Sequence, residues 1–133
     1  MDVLAHFRKA RNAVTMPRGA VLFAEGEPGS HMYVLLWGRA EISVGGETLE
    51  SAGPGALLGE MALVDSSARS ATVITRSDCK FVAIDGKQFD LLVRESPEFA
   101  RHVMTVMANR LRTMNERLKE AISEVGVHGR RPR

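Results

Sequence analysis

The chain is poor in cysteine, carries no long apolar run and has no strong excess of one charge. Cys79 is the single cysteine among 133 residues, so an intramolecular disulfide is impossible and a reducing, cytoplasmic setting is the simpler expectation. No apolar stretch approaches the roughly 18 residues that a bilayer-crossing helix needs. The first ten residues hold Asp2, His6, Arg8 and Lys9, which is not a secretory signal. His6, His31, His102 and His128 stand at no metal-ligand spacing, and Cys79 has no second cysteine to join it. That argues against a metal-dependent β-roll enzyme and against an iron–sulfur sensor. No serine nucleophile elbow occurs. The formal charge is +2, and setting aside Arg130, Arg131 and Arg133 leaves 15 basic against 16 acidic side chains. The rest of the chain is near neutral, without the clustered basic surface that nucleic acid requires.

What is present is ordinary for a globular domain, with 44% hydrophobic and 26% charged residues. One domain is expected over 1–124, followed by a basic, flexible tail at 125–133. Val3, Leu4 and Phe7 suggest a short helix over 2–11. From Ala13 the pattern changes: Val14 and Met16 alternate with Thr15 until Pro17 and Gly19 break the run, and short β-forming segments follow at 21–23, 32–37, 40–44, 47–51, 71–75 and 80–84. Glycine- and proline-bearing turns separate most of them, as in a sandwich or barrel. Gly45-Gly46 reads as a tight hairpin turn, because both residues tolerate positive φ. The segment Gly59–Asp65 has helix-like content inside this β region. Asp85 followed by Gln88 reads as a capping box, and Ser96-Pro97 as the start of a helix running to about Ser123. Gly126, Gly129 and Pro132 are expected to end it. The fold class is therefore α+β, mainly β. An antiparallel β-roll or jelly roll at about 13–85 carries a short internal helix, a short N-terminal helix and long C-terminal helices at about 86–123.

The segment Gly59 to Val73 carries the chemistry. The first N–H groups of its short helical turn lack internal partners and suit an anion. Small residues such as Ala62, Ser70 and Ala71 let a ligand approach the backbone. Arg69 offers a planar fork that matches phosphate oxygens. Glu60 accepts hydrogen bonds, which suits a sugar hydroxyl. The bland reading, a solvated loop with an exposed arginine, has equal standing on spacing alone.

This stretch closely resembles the phosphate-binding cassette of the cyclic nucleotide-binding domain family. The family pattern is Gly-Glu-Leu-Ala-Leu, a variable insert, then Pro-Arg-Ala-Ala-Thr-Val. Here Gly59-Glu60-Met61-Ala62-Leu63 is followed by Ala68-Arg69-Ser70-Ala71-Thr72-Val73. Gly19 to Phe23, Glu25-Gly26, Met32 to Leu35, Gly38, Pro54-Gly55 and Met107 to Leu111 extend the likeness over about residues 14–118. The resemblance implies a cyclic phosphate paired with Arg69 and cradled by the backbone around Met61, Ala62, Ser70 and Ala71. It implies a ribose against Gly59 and Glu60. Ile42 and Leu49 would wall the base, or simply pack the core. Met114 and Asn115 fall where relatives of the catabolite activator type read adenine, although an exposed helix position is the stronger reading for Asn115. Arg110 would anchor the cassette or stay exposed. Ala68 stands where many members have proline, which loosens the loop. Ser70 leaves the choice between cAMP and cGMP open.

Val103, Met107, Leu111, Met114, Leu118 and Ala121 form a near-heptad stripe, either a homodimer seam or a face packed on its own roll. Trp37 caps the roll or meets a partner. The expected function is a cAMP-preferring regulatory sensor, not an enzyme, with no cofactor beyond its ligand. A cGMP-selective sensor and a nucleotide-independent interaction β-roll are the alternatives. The effector is unknown, no direct DNA contact is expected, and the chain is either a free-standing sensor or a fragment.

Overall fold

The computed structural model describes residues 1–129, with side-chain surroundings described for 1–125. Its elements run α1 (Val3–Phe7), β1 (Ala13–Met16), β2 (Val21–Phe23), β3 (His31–Trp37), β4 (Ala40–Val44), β5 (Glu47–Ala52), β6 (Leu57–Leu58), α2 (Met61–Asp65), β7 (Thr72–Thr75), β8 (Cys79–Asp85), α3 (Gly86–Glu95) and α4 (Pro97–Gly129). The strands form two four-stranded sheets, ordered β1-β8-β3-β6 and β2-β7-β4-β5, with every pairing antiparallel.

The two sheets enclose one core, and the helices cover the far side of the first sheet with a second. Phe23, Leu35, Ile42, Leu58, Val73 and Phe81 fill the space between the sheets. On β3 and β8, Met32, Val34, Val82 and Ile84 face the other way, against Phe7, Phe89, Phe99 and Val103 of the helices. Those two strands are covered on both faces, so they read as almost continuously apolar.

Local chemistry sets most boundaries. Gly45 and Gly46 take φ of 58° and 81°, and Val44 pairs with Glu47 across a two-residue loop, as expected of this hairpin. Asp85 and Gln88 form the capping box of α3. The Ser96 hydroxyl caps α4 by accepting from the Phe99 N–H at 3.1 Å.

Four expectations need correction. The N-terminal helix ends at Phe7, well before residue 11. The Asn12 side chain donates to the Ala83 carbonyl, and Ala13 enters register opposite Val82, so the chain must straighten there. The internal helix begins at Met61, with Glu60 as its N-cap, so Gly59 lies outside it. A two-residue strand, β6, joins the expected set, because Leu57 and Leu58 pair with Val34 and Tyr33. The last helix passes Ser123 and Gly126 and runs to Gly129. A single glycine costs a helix only about 1 kcal/mol and does not stop it alone. Most of the expected tail at 125–133 is therefore helical backbone, and 130–133 lie outside the described residues.

Phe99 is fully buried, with edge-to-face contacts at 6.1 Å to both Phe7 and Phe89. Phe99→Ala is expected to lower stability by about 3–5 kcal/mol in urea unfolding, whereas Met104→Ala, at an exposed position of the same helix, stays within about 0.5 kcal/mol.

Candidate functional site

The site lies where α2 and the strand after it meet the face of α4. Two recesses open into one another there, sharing Ile42, Met61, Ser70, Ala71 and Arg110. The inner one, of about 60 Å³, is bounded by Phe23, Gly59, Glu60, Ala62 and Arg69. The outer one, of about 230 Å³, adds Val44, Leu49, Glu50, Thr113 and Met114. Eleven sequence-predicted residues converge on the two recesses: Gly59, Glu60, Met61, Ala62, Arg69, Ser70, Ala71, Ile42, Arg110 and, in the outer part, Met114 and Leu49.

Arg69 is 6% exposed, and the bland reading of a solvated arginine does not hold. Its guanidinium donates to the carbonyls of Gly59 at 3.1 Å and His31 at 2.7 Å. Its ζ carbon sits 4.1 Å from the centre of the Phe23 ring. No carboxylate pairs with it among the described residues. Burial pushes its pKa below the ordinary arginine value, and Tyr33, Glu27 and Glu60 oppose that shift. The backbone fixes the segment on both sides, since the Arg69 N–H donates to Glu27 and the Gly26 N–H donates to the Arg69 carbonyl.

Glu60 is 1% exposed, and its carboxylate is ion-paired with Arg110 of α4. Arg110 also donates to the Leu57 carbonyl at 2.5 Å and reaches Glu50 at 3.3 Å. Burial works against the Arg110 charge, but Glu60 and Glu50 outweigh it and raise its pKa. Arg110 is thus an anchor and not an exposed side chain. In α2 the N–H groups of Leu63 and Val64 return to the Glu60 carbonyl, which leaves those of Met61 and Ala62 without helical acceptors. The Ser70 hydroxyl lies 3.7 Å from the Met61 sulfur.

A buried cation without a counter-ion, a carboxylate beside it and a hydrophobic outer chamber match the three parts of a nucleoside cyclic phosphate. The family model for the cyclic nucleotide-binding domain matches residues 13–96. The chain belongs to the cyclic nucleotide-binding domain family. It is 31% identical over 126 residues to a CRP-like cAMP-activated global transcriptional regulator of Mycobacterium tuberculosis, covering 91% of this chain and 56% of that protein. It is 38% identical over 98 residues to a cyclic nucleotide-gated potassium channel of Mesorhizobium japonicum, covering 74% of this chain and 27% of the channel. Among solved structures it is similar to the catabolite activator protein of Thermus thermophilus, with a TM-score of 0.73 and 30% identity over 82% of this chain and 54% of that one. The chain therefore spans about half the length of the regulators it matches.

Within this cyclic nucleotide-binding domain, Asn115 takes the exposed of its two readings. Asn115 is exposed and lines neither recess. Arg110, Thr113, Met114 and Arg117 follow the i, i+3, i+4, i+7 rule and share the face turned to the roll, which leaves Asn115 off it. Sequence reasoning missed the wall residues Phe23, Leu58 and Val73 of the inner recess and Val44, Glu50 and Thr113 of the outer one. Thr113 follows from that same spacing once Arg110 is known to point inward. Phe23 reads as plain core. The near-heptad stripe divides: Val103 is buried and Met107 half-buried, while Leu111, Met114 and Leu118 are 62%, 42% and 57% exposed. Trp37 is half exposed at the end of β3, beside Met16, Pro17 and Cys79. No helix of the described residues is long and apolar enough to cross a membrane.

Removing Arg110 would strand the buried Glu60 carboxylate. Arg110→Met is expected to cost about 3–5 kcal/mol in urea unfolding, and adding Glu60→Gln should recover most of it.

Proposed function

We propose that the chain binds a cyclic nucleotide in this cleft, cAMP in preference to cGMP, and works as a regulatory binding module without turnover. The observation that carries the reading is the buried, unneutralised guanidinium of Arg69. An anion is the partner such a group lacks, and a phosphodiester offers two oxygens to its planar fork. The backbone N–H groups of Met61, Ala62 and Ala71, with Ser70 beside them, surround the phosphate in this reading. The ribose sits against Gly59, and its 2′-hydroxyl donates to Glu60. The base enters the outer chamber between Ile42, Leu49 and Met114. The name of the mycobacterial relative, a cAMP-activated regulator, supports cAMP as the preferred ligand.

The cleft takes walls from two bodies, the roll and α4. A ligand spanning both binds the docked arrangement better than one with α4 displaced. It shifts the balance between them by that difference in affinity and no more. The exposed stripe Leu111, Met114, Leu118 supports a second reading of α4 as a homodimer seam. Output passes to an effector, in the same protein or a partner, without direct contact between this domain and DNA. The setting proposed is the cytoplasm.

Calorimetric titration with cAMP and cGMP tests this. Wild-type protein is expected to bind cAMP more tightly than cGMP, and Arg69→Ala to weaken binding by about 1.5–3 kcal/mol or more. The reverse order of affinities would make the chain a cGMP sensor. Folded wild-type protein that binds neither would overturn the reading in favour of an interaction β-roll.

A further inference from the structure

The Arg69 guanidinium is held on several sides. The Phe23 ring covers one face at 4.1 Å, and the Gly59 and His31 carbonyls take its terminal nitrogens. Two glycines leave it room. A Cβ on Gly29 would lie 2.7 Å from its ζ carbon and ε nitrogen, and one on Gly59 would collide with a terminal nitrogen. The slot is planar and fits a guanidinium, not an ammonium on a flexible stem.

The usual partner of a buried arginine is a carboxylate, which cancels its charge. Here the most buried carboxylate nearby, Glu60, is paired with Arg110 instead. A ring face and two carbonyls attract the cation through a quadrupole and dipoles, and leave its net charge in place. Phe23 is 9% exposed, and its ring lies against Tyr33 with centroids 6.2 Å apart and planes 28° apart. The ring therefore has little freedom to leave the guanidinium.

We propose that Phe23 is a positioning residue, whose ring face fixes the Arg69 guanidinium without neutralising it, so that an incoming phosphodiester meets a preset cation. The inference rests on the cyclic nucleotide reading above. It separates Phe23 from its neighbours in the inter-sheet core, such as Leu58 and Val73, which line the same recess but lay no ring on the guanidinium.

A double-mutant cycle on cAMP affinity tests it, using Phe23→Leu, Arg69→Gln and the pair, with urea unfolding to confirm that each variant folds. Phe23→Leu keeps an apolar side chain and removes the π face. It should weaken cAMP binding roughly tenfold. Phe23→Tyr keeps the face and should bind within about twofold of wild type. In the Arg69→Gln background, Phe23→Leu should change affinity by less than about twofold, because the cation it acts through is gone. If Phe23→Leu does not fold, Phe23→Met replaces it with the same expectations. Equal losses from Phe23→Leu in both backgrounds, or no loss in either, overturn the inference while leaving the nucleotide reading intact. A wild-type protein that binds no cyclic nucleotide overturns both.

Discussion

A buried positive charge with no negative partner is the constraint on which the rest of the site depends. Desolvating a guanidinium is costly, and proteins ordinarily offset that cost with a carboxylate. Arg69 has carbonyls and an aromatic face instead. Glu60, whose charge is felt at Arg69, is engaged elsewhere by Arg110. The two opposite charges of the cassette are thereby kept apart, one held by the roll and one shared with the long helix. A ligand carrying both an anion and a hydroxyl donor can address each of them. An anion alone, or a sugar alone, can address only one.

That division makes the position of α4 part of the binding site. Near its start the helix is fixed by hydrophobic burial, through Phe99 and Val103. Further along, the attachment becomes polar: Arg110 grips Glu60, Glu50 and the Leu57 carbonyl, and Arg117, one heptad on, donates to the Leu49 carbonyl at 3.0 Å and reaches Glu47 at 3.5 Å. Beyond that point Ile122 and Val125 are 61% and 69% exposed. Burial of apolar surface thus gives way to a few ion pairs, and then to an uncovered apolar face. The half-exposed contact of Arg117 is worth at most about 1 kcal/mol. The distal half of the helix is therefore the part held least tightly, since local opening is easiest where few apolar contacts are made.

Much of the roll and the cassette was legible in the residues, because their signals are local. Gly45-Gly46 can hardly be anything but a tight turn, and Asp85 with Gln88 states a helix start. The run from Gly59 to Val73 is read from short-range pattern in the same way. What escaped depends on distant parts of the chain. Leu57-Leu58 becomes a strand only because β3 lies beside it. Gly126 would end a helix only if the chain needed a left-handed turn there. Phe23 looks like any apolar strand residue until Arg69, 46 positions later in the sequence, is laid across its ring. Asn115 and Thr113 are equally plausible contacts on an isolated helix. The inward set of Arg110 chooses between them.

If the phosphate seat is preset around Arg69, cAMP enters it without moving that side chain, and a crystal structure of the protein with cAMP bound shows whether it does. The cyclic phosphate is expected within hydrogen-bond distance of the Arg69 guanidinium, with that group still against Phe23 and still donating to the Gly59 and His31 carbonyls. A phosphate seated away from Arg69, or an Arg69 side chain that has left the Phe23 face to reach it, would mean that the seat is not preset.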